Sequence, residues 1–229
     1  MVSSYFVTGT DTHIGKTRVS CALLQAFAAS GRSVVGMKPV VAGCEDGRWA
    51  DVDLLTAAST VSAPRHSVNP YAFVPPVSPH IGAIQAGIEI DLAVIQHAYR
   101  QLQTLAEVVI IEGVGGFRVP LSEQYDGADL ACRLGLPVIL VVGLRLGCLN
   151  HALLTAQAIQ ASGLLLAGWV ANGIDPHMSV QEENMRTLQQ RLDCPLLGRL
   201  PFDENMGASC AASRLDITRL VATTGQLRE

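Results

Sequence analysis

The sequence has few aromatic residues, little charge and no long apolar run. Of its 229 residues, 5% are aromatic, 16% are charged and 49% are hydrophobic. The longest uncharged apolar stretches, 134–144 and 163–174, are interrupted by glycine and fall short of the roughly 20 residues that a membrane helix needs. The net charge is -4 and no long basic run is present, so the sequence predicts neither a membrane nor a nucleic acid as partner.

Disulfide and zinc patterns are also missing. The six histidines show no metal-ligand spacing, and the cysteines form no C-x-x-C pair, which favours reduced thiols. These cysteines are Cys21, Cys44, Cys132, Cys148, Cys194 and Cys210. The first residues lead directly into an apolar strand, without a basic segment or a signal core, so we expect a cytoplasmic protein. The length suits one sizeable core, and we expect a single domain over 1–229.

The predicted chemistry begins in the segment 5–20, YFVTGTDTHIGKTRVS. An apolar strand leads into a loop with Gly9 and Gly15, and Lys16 and Thr17 precede a predicted helix. Glycine lets the backbone approach a phosphate, and N–H groups at a helix start point at the anion. A lysine reaches the outer phosphates, and a threonine hydroxyl can ligate magnesium. The segment therefore predicts a phosphate-binding loop, although its first glycine lies one residue earlier than in the usual pattern.

After this loop, apolar strands alternate with helical patterns. Strands are predicted at 34–38, 108–111, 138–142, 165–171 and 196–200, and helices at 18–29, 51–59, 89–106, 126–134, 150–161, 179–192 and 213–223. The stretch 41–50 is predicted as loop, and five prolines in 64–79 predict an excursion with neither helix nor strand. Strands that are apolar on both faces indicate an α/β fold, a doubly wound and mostly parallel sheet with helices on both faces.

Ligands of such sheets bind beyond the carboxyl ends of the strands, where this sequence places charged residues. Glu112 directly follows a buried strand, a position that suits a magnesium-associated carboxylate. Lys38 ends another strand and is either an exposed strand end or a catalytic group. Asp51 and Asp53 both open a helix, and spacing does not choose between a metal role and simple helix stabilisation.

Three further segments keep two interpretations each. Gly113–Gly116 is either a hinge or tight turn, or a place where the backbone approaches a ligand. Asn172 with Gly173 either forms a turn or lets the amide read a nucleobase. In 147–150, the backbone N–H groups can hold a carboxylate, or Asn150 caps the following helix.

Taken together, longer strings resemble the dethiobiotin synthetase family over nearly the whole length. They are YFVTGTDTHIGKT, GMKPV, VIIEGVGGFRVPL, LPVILVVGLRLGCLNHALLTAQAI, LAGWVAN and PLLGRLP. The resemblance implies a seven-stranded fold of the P-loop NTPase type and a homodimer. It also implies carboxylation of 7,8-diaminopelargonic acid by CO2 or bicarbonate and an ATP- and Mg2+-dependent closure of the ureido ring. The family shares the unusual glycine spacing of the loop.

The resemblance also assigns roles to residues. It makes Lys16 and Lys38 the phosphate-contacting and catalytic lysines, and it prefers Asp51 to Asp53. The implied magnesium-associated residues are Thr17, Asp51 and Glu112, and the other implied nucleotide contacts are Thr12, His13, Ile14, Gly15, Gly113, Val114, Gly115, Asn172, Gly173 and Pro201. The implied substrate contacts are Thr12, Ala42, Gly147, Cys148, Leu149 and Asn150, with the last four holding the substrate carboxylate across the dimer interface.

Three positions depart from the family pattern, and two other functions compete. Ala42 stands where many relatives have a serine, Gly173 replaces an aspartate and His13 replaces an acidic residue. A partition-type ATPase switch would carry an extra lysine early in the loop, where this chain has Thr10 and Asp11. A catalytically silent regulatory relative is disfavoured because the two lysines and the acidic residues are all present.

Overall fold

The computed structural model of the protein describes residues 3–203 and 205–220. The elements in chain order are β1 (Ser3–Gly9), α1 (Lys16–Ala29), β2 (Val34–Met37), β3 (Val40–Ala42), α2 (Ala50–Ala58), α3 (Arg65–Val68), β4 (Tyr71–Phe73), α4 (Pro79–Ala86), α5 (Leu92–Gln103), β5 (Val108–Glu112), α6 (Gly127–Leu134), β6 (Val138–Leu144), α7 (Cys148–Ala161), β7 (Leu166–Gly173), α8 (Gln181–Arg191), β8 (Leu196–Leu200) and α9 (Ala208–Ala212). Within these ranges, no helix has the length and apolarity to cross a membrane.

The main sheet is parallel and has the strand order β2-β5-β1-β6-β7-β8. This confirms the α/β fold with a parallel sheet. Its six strands are those predicted from their apolar sequences, so among the described residues the main sheet has one strand fewer than the seven implied by the family resemblance. Strands β3 and β4 pair separately as a small parallel sheet.

Alternation along the strands builds a core on each face of the main sheet. Tyr5 and Val7 face the core beneath α1, whereas Phe6 faces the opposite core. In the same way, Ile110 and Ile111 of β5 point to opposite cores. Because side chains alternate with period 2, a strand that is apolar throughout is buried on both sides.

The proline-rich stretch 64–79 was predicted to have neither helix nor strand, and this prediction is wrong. Pro64 precedes the short helix α3, where its fixed φ is compatible with a helix start, and Pro79 is the first residue of α4. Between them, β4 pairs with β3, whose last two residues overlap the start of the stretch 41–50 that was predicted as loop.

The predicted closing helix 213–223 is also wrong in its position. Helix α9 ends earlier, Ser213 is its C-cap, and Leu215 forms an isolated bridge with Gly198. Helical structure resumes at 218–220, and the predicted part 221–223 lies outside the described residues.

Candidate active site

The phosphate-binding loop connects β1 to α1 at the carboxyl edge of the sheet. Gly15, which precedes the helix, has the left-handed φ of 84°, a conformation that favours glycine. A Cβ at this position would lie 2.2 Å from the amide nitrogen of Asn172. Asn172 donates a hydrogen bond of 2.8 Å from Nδ2 to the carbonyl of Ile14, so β7 supports the loop from below. The side chain of Ile14 is buried, which leaves only its backbone for a ligand.

Lys16 is the first residue of α1 and is folded back onto its own loop. Its Nζ donates a hydrogen bond of 2.8 Å to the carbonyl of Asp11. Burial lowers the pKa of Lys16 to about 8, and the nearby Lys38 ammonium contributes to the same shift. The carboxylates of Glu112 and Asp51 oppose it. The two carboxylates only partly offset the effects of burial and of Lys38. A bound phosphate anion would therefore further stabilise the charged form of Lys16.

Lys38, directly after β2, is buried between two carboxylates. Its Nζ lies 2.6 Å from Oε1 of Glu112 and 2.9 Å from Oδ2 of Asp51. Burial alone would lower the pKa of Lys38, but the Glu112 and Asp51 carboxylates outweigh that effect and raise it. Nζ also lies 3.3 Å from the carbonyl of Gly113. Lys38 is thus a fixed cation inside the site and not an exposed strand end.

Thr17 joins the same cluster. Its hydroxyl lies 2.8 Å from Asp51 Oδ1 and 2.8 Å from Glu112 Oε1. Burial opposes ionisation of Asp51, but Lys38 and the Thr17 hydrogen bond keep its pKa below the ordinary value. Asp53 instead lies 2.9 Å from Arg48, outside the cluster. Of the two acidic residues that the sequence left open, the structure places Asp51 in the site.

Sequence reasoning missed a residue that positions Lys38. The buried Asn69 donates from Nδ2 to the carbonyl of Lys38 at 2.6 Å and to the carbonyl of Tyr71 at 3.0 Å. The amide of Lys38 donates in turn to the carbonyl of Val68. Asn69 follows α3 and precedes β4, so the segment that was predicted as irregular anchors the second lysine. An amide side chain directly before Pro70 was the signal available in the sequence.

A cleft of about 400 Å³ lies over this cluster. It is lined by Thr12, His13, Gly15, Lys16, Thr17, Lys38, Val41, Ala42, Asp51, Glu112, Val114 and Gly115. Most of the predicted nucleotide and metal residues are therefore brought to one cavity. His13 contributes with a left-handed φ of 57°. The volume of the cleft is in the range of small-molecule sites, which span about 300–1,000 Å³.

Asn172, Gly173 and Pro201 do not line this cleft. Asn172 and Gly173 end β7 as buried strand residues, so the turn interpretation of this pair is wrong. Within the described part of the chain, Asn172 Oδ1 is buried and has no hydrogen-bond partner. A Cβ on Gly173 would meet the backbone of Pro201 at 3.1 Å, so the two residues pack together beside the loop.

The turn at Gly147–Asn150 also lies apart from the cleft. Gly147 is the N-cap of α7 with a left-handed φ of 94°, so the alternative in which Asn150 caps the helix is wrong. Cys148 is buried, and its N–H donates to the carbonyl of Arg145 at 3.0 Å. Asn150 is exposed in the first turn, where N–H groups have no partner within a helix.

The cluster fits a magnesium ion on its own chemistry. Glu112 Oε2 is buried and, among the described residues, has no hydrogen-bond partner. Oxygens of Thr17, Asp51 and Glu112 converge, and the two carboxylates already hold one cation, the Lys38 ammonium. In the described ranges, no group of three or more His, Cys, Asp or Glu residues forms a complete metal cage. Magnesium commonly takes one or two carboxylates and completes its shell with water and phosphate.

A phosphate loop at the carboxyl edge of a parallel sheet defines a P-loop NTPase. Solved structures share this fold. The septum site-determining protein MinD of Pyrococcus horikoshii, complexed with Mg-ADP, has a TM-score of 0.59 at 16% identity and covers 100% of this chain and 97% of its own. The signal recognition particle receptor FtsY of Elizabethkingia anophelis, in complex with GDP, has a TM-score of 0.51 at 16% identity, covering 97% of this chain and 63% of its own.

Closer similarity identifies the family. A family model described as AAA domain matches residues 3–209. An ATP-dependent dethiobiotin synthetase BioD of Nitrosospira multiformis is 61% identical over 96% of this chain and 97% of its own. The proteins of that name from Aromatoleum aromaticum (86% of this chain, 90% of its own) and Ralstonia nicotianae (95% and 96%) are 56% and 51% identical. The chain belongs to the ATP-dependent dethiobiotin synthetase family and is an ATP-dependent enzyme of the ligase type.

Proposed function

We propose that this protein converts 7,8-diaminopelargonic acid, CO2 and ATP into dethiobiotin, a step of biotin biosynthesis. One amine of the substrate adds to CO2 and loses a proton, which gives a carbamate. A carbamate oxygen then attacks the γ-phosphorus of ATP, ADP leaves, and a carbamic-phosphoric anhydride results. The second amine attacks the carbonyl carbon and loses a proton, phosphate leaves, and the ureido ring closes.

The two lysines act on the charge that moves during phosphoryl transfer. Lys16 lies in the loop that binds the phosphates, and its ammonium leaves the Asp11 carbonyl to contact the outer phosphates. Lys38 lines the same cleft, where Glu112 holds its ammonium and Asn69 holds its backbone carbonyl. Its ammonium offsets the charge of the carbamate and of the transferring phosphoryl group. Because Lys38 is fixed before the substrate arrives, it needs little reorganisation in the transition state.

Thr17, Asp51 and Glu112 hold Mg2+ in this proposal, and the metal neutralises charge on the ATP phosphates. The chain's own part is to keep these three oxygen ligands together, with the Thr17 hydroxyl 2.8 Å from an oxygen of each carboxylate and able to donate its one hydrogen to either.

The remaining subsites surround this centre. We place adenine near Asn172, Gly173 and Pro201, where the unpartnered Oδ1 of Asn172 can accept a hydrogen bond from an amino group. The phosphates lie against the backbone of 12–15 and of 113–115. We place the diamine near Thr12 and Ala42 in the cleft, with its carboxylate at the Gly147–Asn150 turn of a second subunit. In this proposal the whole chain is one catalytic domain that acts as a cytoplasmic homodimer.

The observation that carries the proposal is Lys38, buried between Glu112 and Asp51, the same two carboxylates that Thr17 contacts. A nucleotide switch needs the loop, its lysine and the metal ligands. A second buried ammonium in the lining of the same cleft suits an anionic phosphoryl acceptor, which a carbamate provides. The full-length similarity to dethiobiotin synthetases supports this acceptor.

The decisive experiment incubates the protein with 7,8-diaminopelargonic acid, bicarbonate, Mg2+ and ATP and follows the product by mass. We expect a product that has gained one carbonyl carbon from labelled bicarbonate, together with one ADP for each ring closed. ATP hydrolysis that proceeds without the diamine and yields no ureido product would contradict the proposal and favour a nucleotide switch.

A further inference from the structure

Asp11 places a carboxylate inside the loop that is expected to bind a polyphosphate. Its side chain is 47% exposed, so its charge faces the solvent through which a nucleotide arrives. A bare carboxylate there would repel the phosphates. The sequence offers no reason for this residue, because the usual roles of the loop belong to glycine, lysine and threonine.

The structure gives Asp11 three partners at once. Its Oδ1 accepts a hydrogen bond of 2.8 Å from the backbone N–H of Thr12, and its carbonyl accepts one of 2.8 Å from Lys16 Nζ. Its Oδ2 lies 2.6 Å from Nη2 of Arg145, a residue 134 positions away in sequence. Asp11 thus connects the shape of the loop, the resting position of the loop lysine and a cation that follows another strand.

Arg145 is well placed to control this connection. It follows β6, which is the neighbour of β1 in the sheet, with Gly9 opposite Val141. The backbone of Arg145 also shapes the next turn, because its carbonyl accepts the N–H of Cys148 at the start of α7. The pair is about half exposed, and such ion pairs contribute little to folding stability. Its effect should therefore appear in ligand binding.

We propose that Arg145 is a positioning residue of the nucleotide site and acts through Asp11. Its guanidinium cancels the carboxylate charge that would oppose the phosphates. It also holds Asp11 so that the carbonyl keeps Lys16 at the loop until nucleotide binds. This inference rests on the proposed function only in taking the loop as the nucleotide site.

The test measures dissociation constants of ATP, ADP and AMP by calorimetry without Mg2+. For Arg145→Met, we expect ATP affinity to fall about tenfold, ADP less and AMP least, because repulsion grows with phosphate charge. Arg145→Lys should keep most of the affinity. Asp11→Asn combined with Arg145→Met should restore ATP binding to within about threefold of the unmodified protein, because both charges are gone. In turnover, Arg145→Met should raise the KM for ATP far more than it lowers kcat.

Arg219→Met is the matched control. The exposure of the Arg219–Asp216 pair is similar to that of the Arg145–Asp11 pair. Arg219 donates to the carbonyl of Leu196 at the start of β8, at the amino ends of the strands and away from the loop. Nucleotide affinity should not change. The inference is overturned if Arg145→Met binds ATP as well as the unmodified protein does, if the three nucleotides weaken equally, or if the double variant stays as weak as Arg145→Met. It is also overturned if the unmodified protein binds no nucleotide.

Failure of the proposed reaction is a separate result. The unmodified protein could bind ATP and respond to the Arg145 variants as expected, yet form no ureido product. The proposed function would then fall while Arg145 kept its role.

Discussion

Lys38 is the residue that separates this site from a simple nucleotide pocket. We expect Lys38→Ala to lower kcat by about 100–1,000-fold, the usual effect of removing a group that stabilises developing charge. The dissociation constant for ATP should change by less than about threefold, because Lys16 and the loop amides remain. Steady-state kinetics and calorimetry give both numbers, and near-normal turnover would remove Lys38 from the mechanism.

The same substitution leaves Glu112 buried without its cation. Glu112 is 0% exposed, so losing its partner should cost about 3 kcal/mol of the free energy of unfolding. Urea unfolding measures this cost. The binding measurement must therefore be made below the temperature at which the variant begins to unfold.

Lys16 carries a testable pH dependence. A lysine is charged below its pKa, and that of Lys16 is lowered to about 8 in the nucleotide-free protein, chiefly by burial. Below pH 8 the ammonium is present and affinity should be constant. Above pH 8 binding must take up a proton, so affinity for ADP should fall by up to about tenfold per pH unit. Calorimetry without Mg2+ in buffers of different ionisation enthalpy measures both the affinity and the proton uptake.

The pKa of each lysine can be measured separately by NMR, because Lys16 and Lys38 are the only two lysines in the sequence. Lysine labelled with 13C at Cε should give two resonances, one titrating near pH 8 and the other at a raised pKa. Lys16→Arg should remove the first resonance and flatten the pH profile of ADP binding. A Lys16 resonance with an ordinary lysine pKa would contradict the prediction.

At the scale of elements, the β1–loop–α1 unit depends on contact with the end of β7. Gly15→Ala puts a methyl group 2.2 Å from Asn172 Nδ2 in a left-handed conformation, and Asn172 is itself held by Ile14. We expect the conformation to cost about 1 kcal/mol and the overlap a further 1–3 kcal/mol of unfolding free energy. Nucleotide affinity should fall as well.

Gly163→Ala is the matched control for this substitution. Gly163 has a similar φ of 74°, but nothing lies within 4 Å of a Cβ there. Only the conformational cost of about 1 kcal/mol should remain. If chemical denaturation shows equal losses for the two variants, the contact with Asn172 does not constrain the loop.

The regular elements could be predicted because buried strands and helices show recognisable patterns of apolar residues in the sequence. Val108–Glu112 is apolar until its last residue, and the rule that ligands bind at carboxyl ends then selects Glu112. Strand β4 could not be predicted, since its three residues are fixed by pairing with β3 and not by alternation. Asn69 and Arg145 were missed for a related reason. Their roles depend on partners that are distant in sequence and brought together by the path of loops.

At the scale of the whole molecule, the start of α7 marks the face on which we propose that a second subunit packs. Leu146 is 94% exposed and Leu154 is 57% exposed, so large apolar side chains flank the exposed Asn150. Covering such side chains stabilises an interface. Size-exclusion chromatography with light scattering should give the mass of a dimer. Leu146→Glu should shift the measured mass towards that of the monomer. An unshifted dimer would place the interface elsewhere.

Asn150→Asp tests whether this turn holds the substrate carboxylate. An acidic residue in the first turn suits a helix N-terminus, so the fold should tolerate it. The new charge should raise the KM for 7,8-diaminopelargonic acid by at least about tenfold and leave the KM for ATP unchanged. Gln157→Glu makes the same charge change on an exposed position of the same helix and should have no effect. Equal effects from both variants would argue against a carboxylate site at the turn.

Mixing two variants that are both impaired at low substrate decides whether the turn serves the partner's site. Lys38→Ala has an intact turn, and Asn150→Asp has an intact lysine. If each site combines Lys38 of one subunit with the turn of the other, a mixed dimer contains one complete site and one doubly altered site. With free subunit exchange, half of the dimers are mixed, so activity should recover to about a quarter of the unmodified level at low substrate. If lysine and turn act within one subunit, no mixture contains a complete site. Activity would then stay at the average of the two variants.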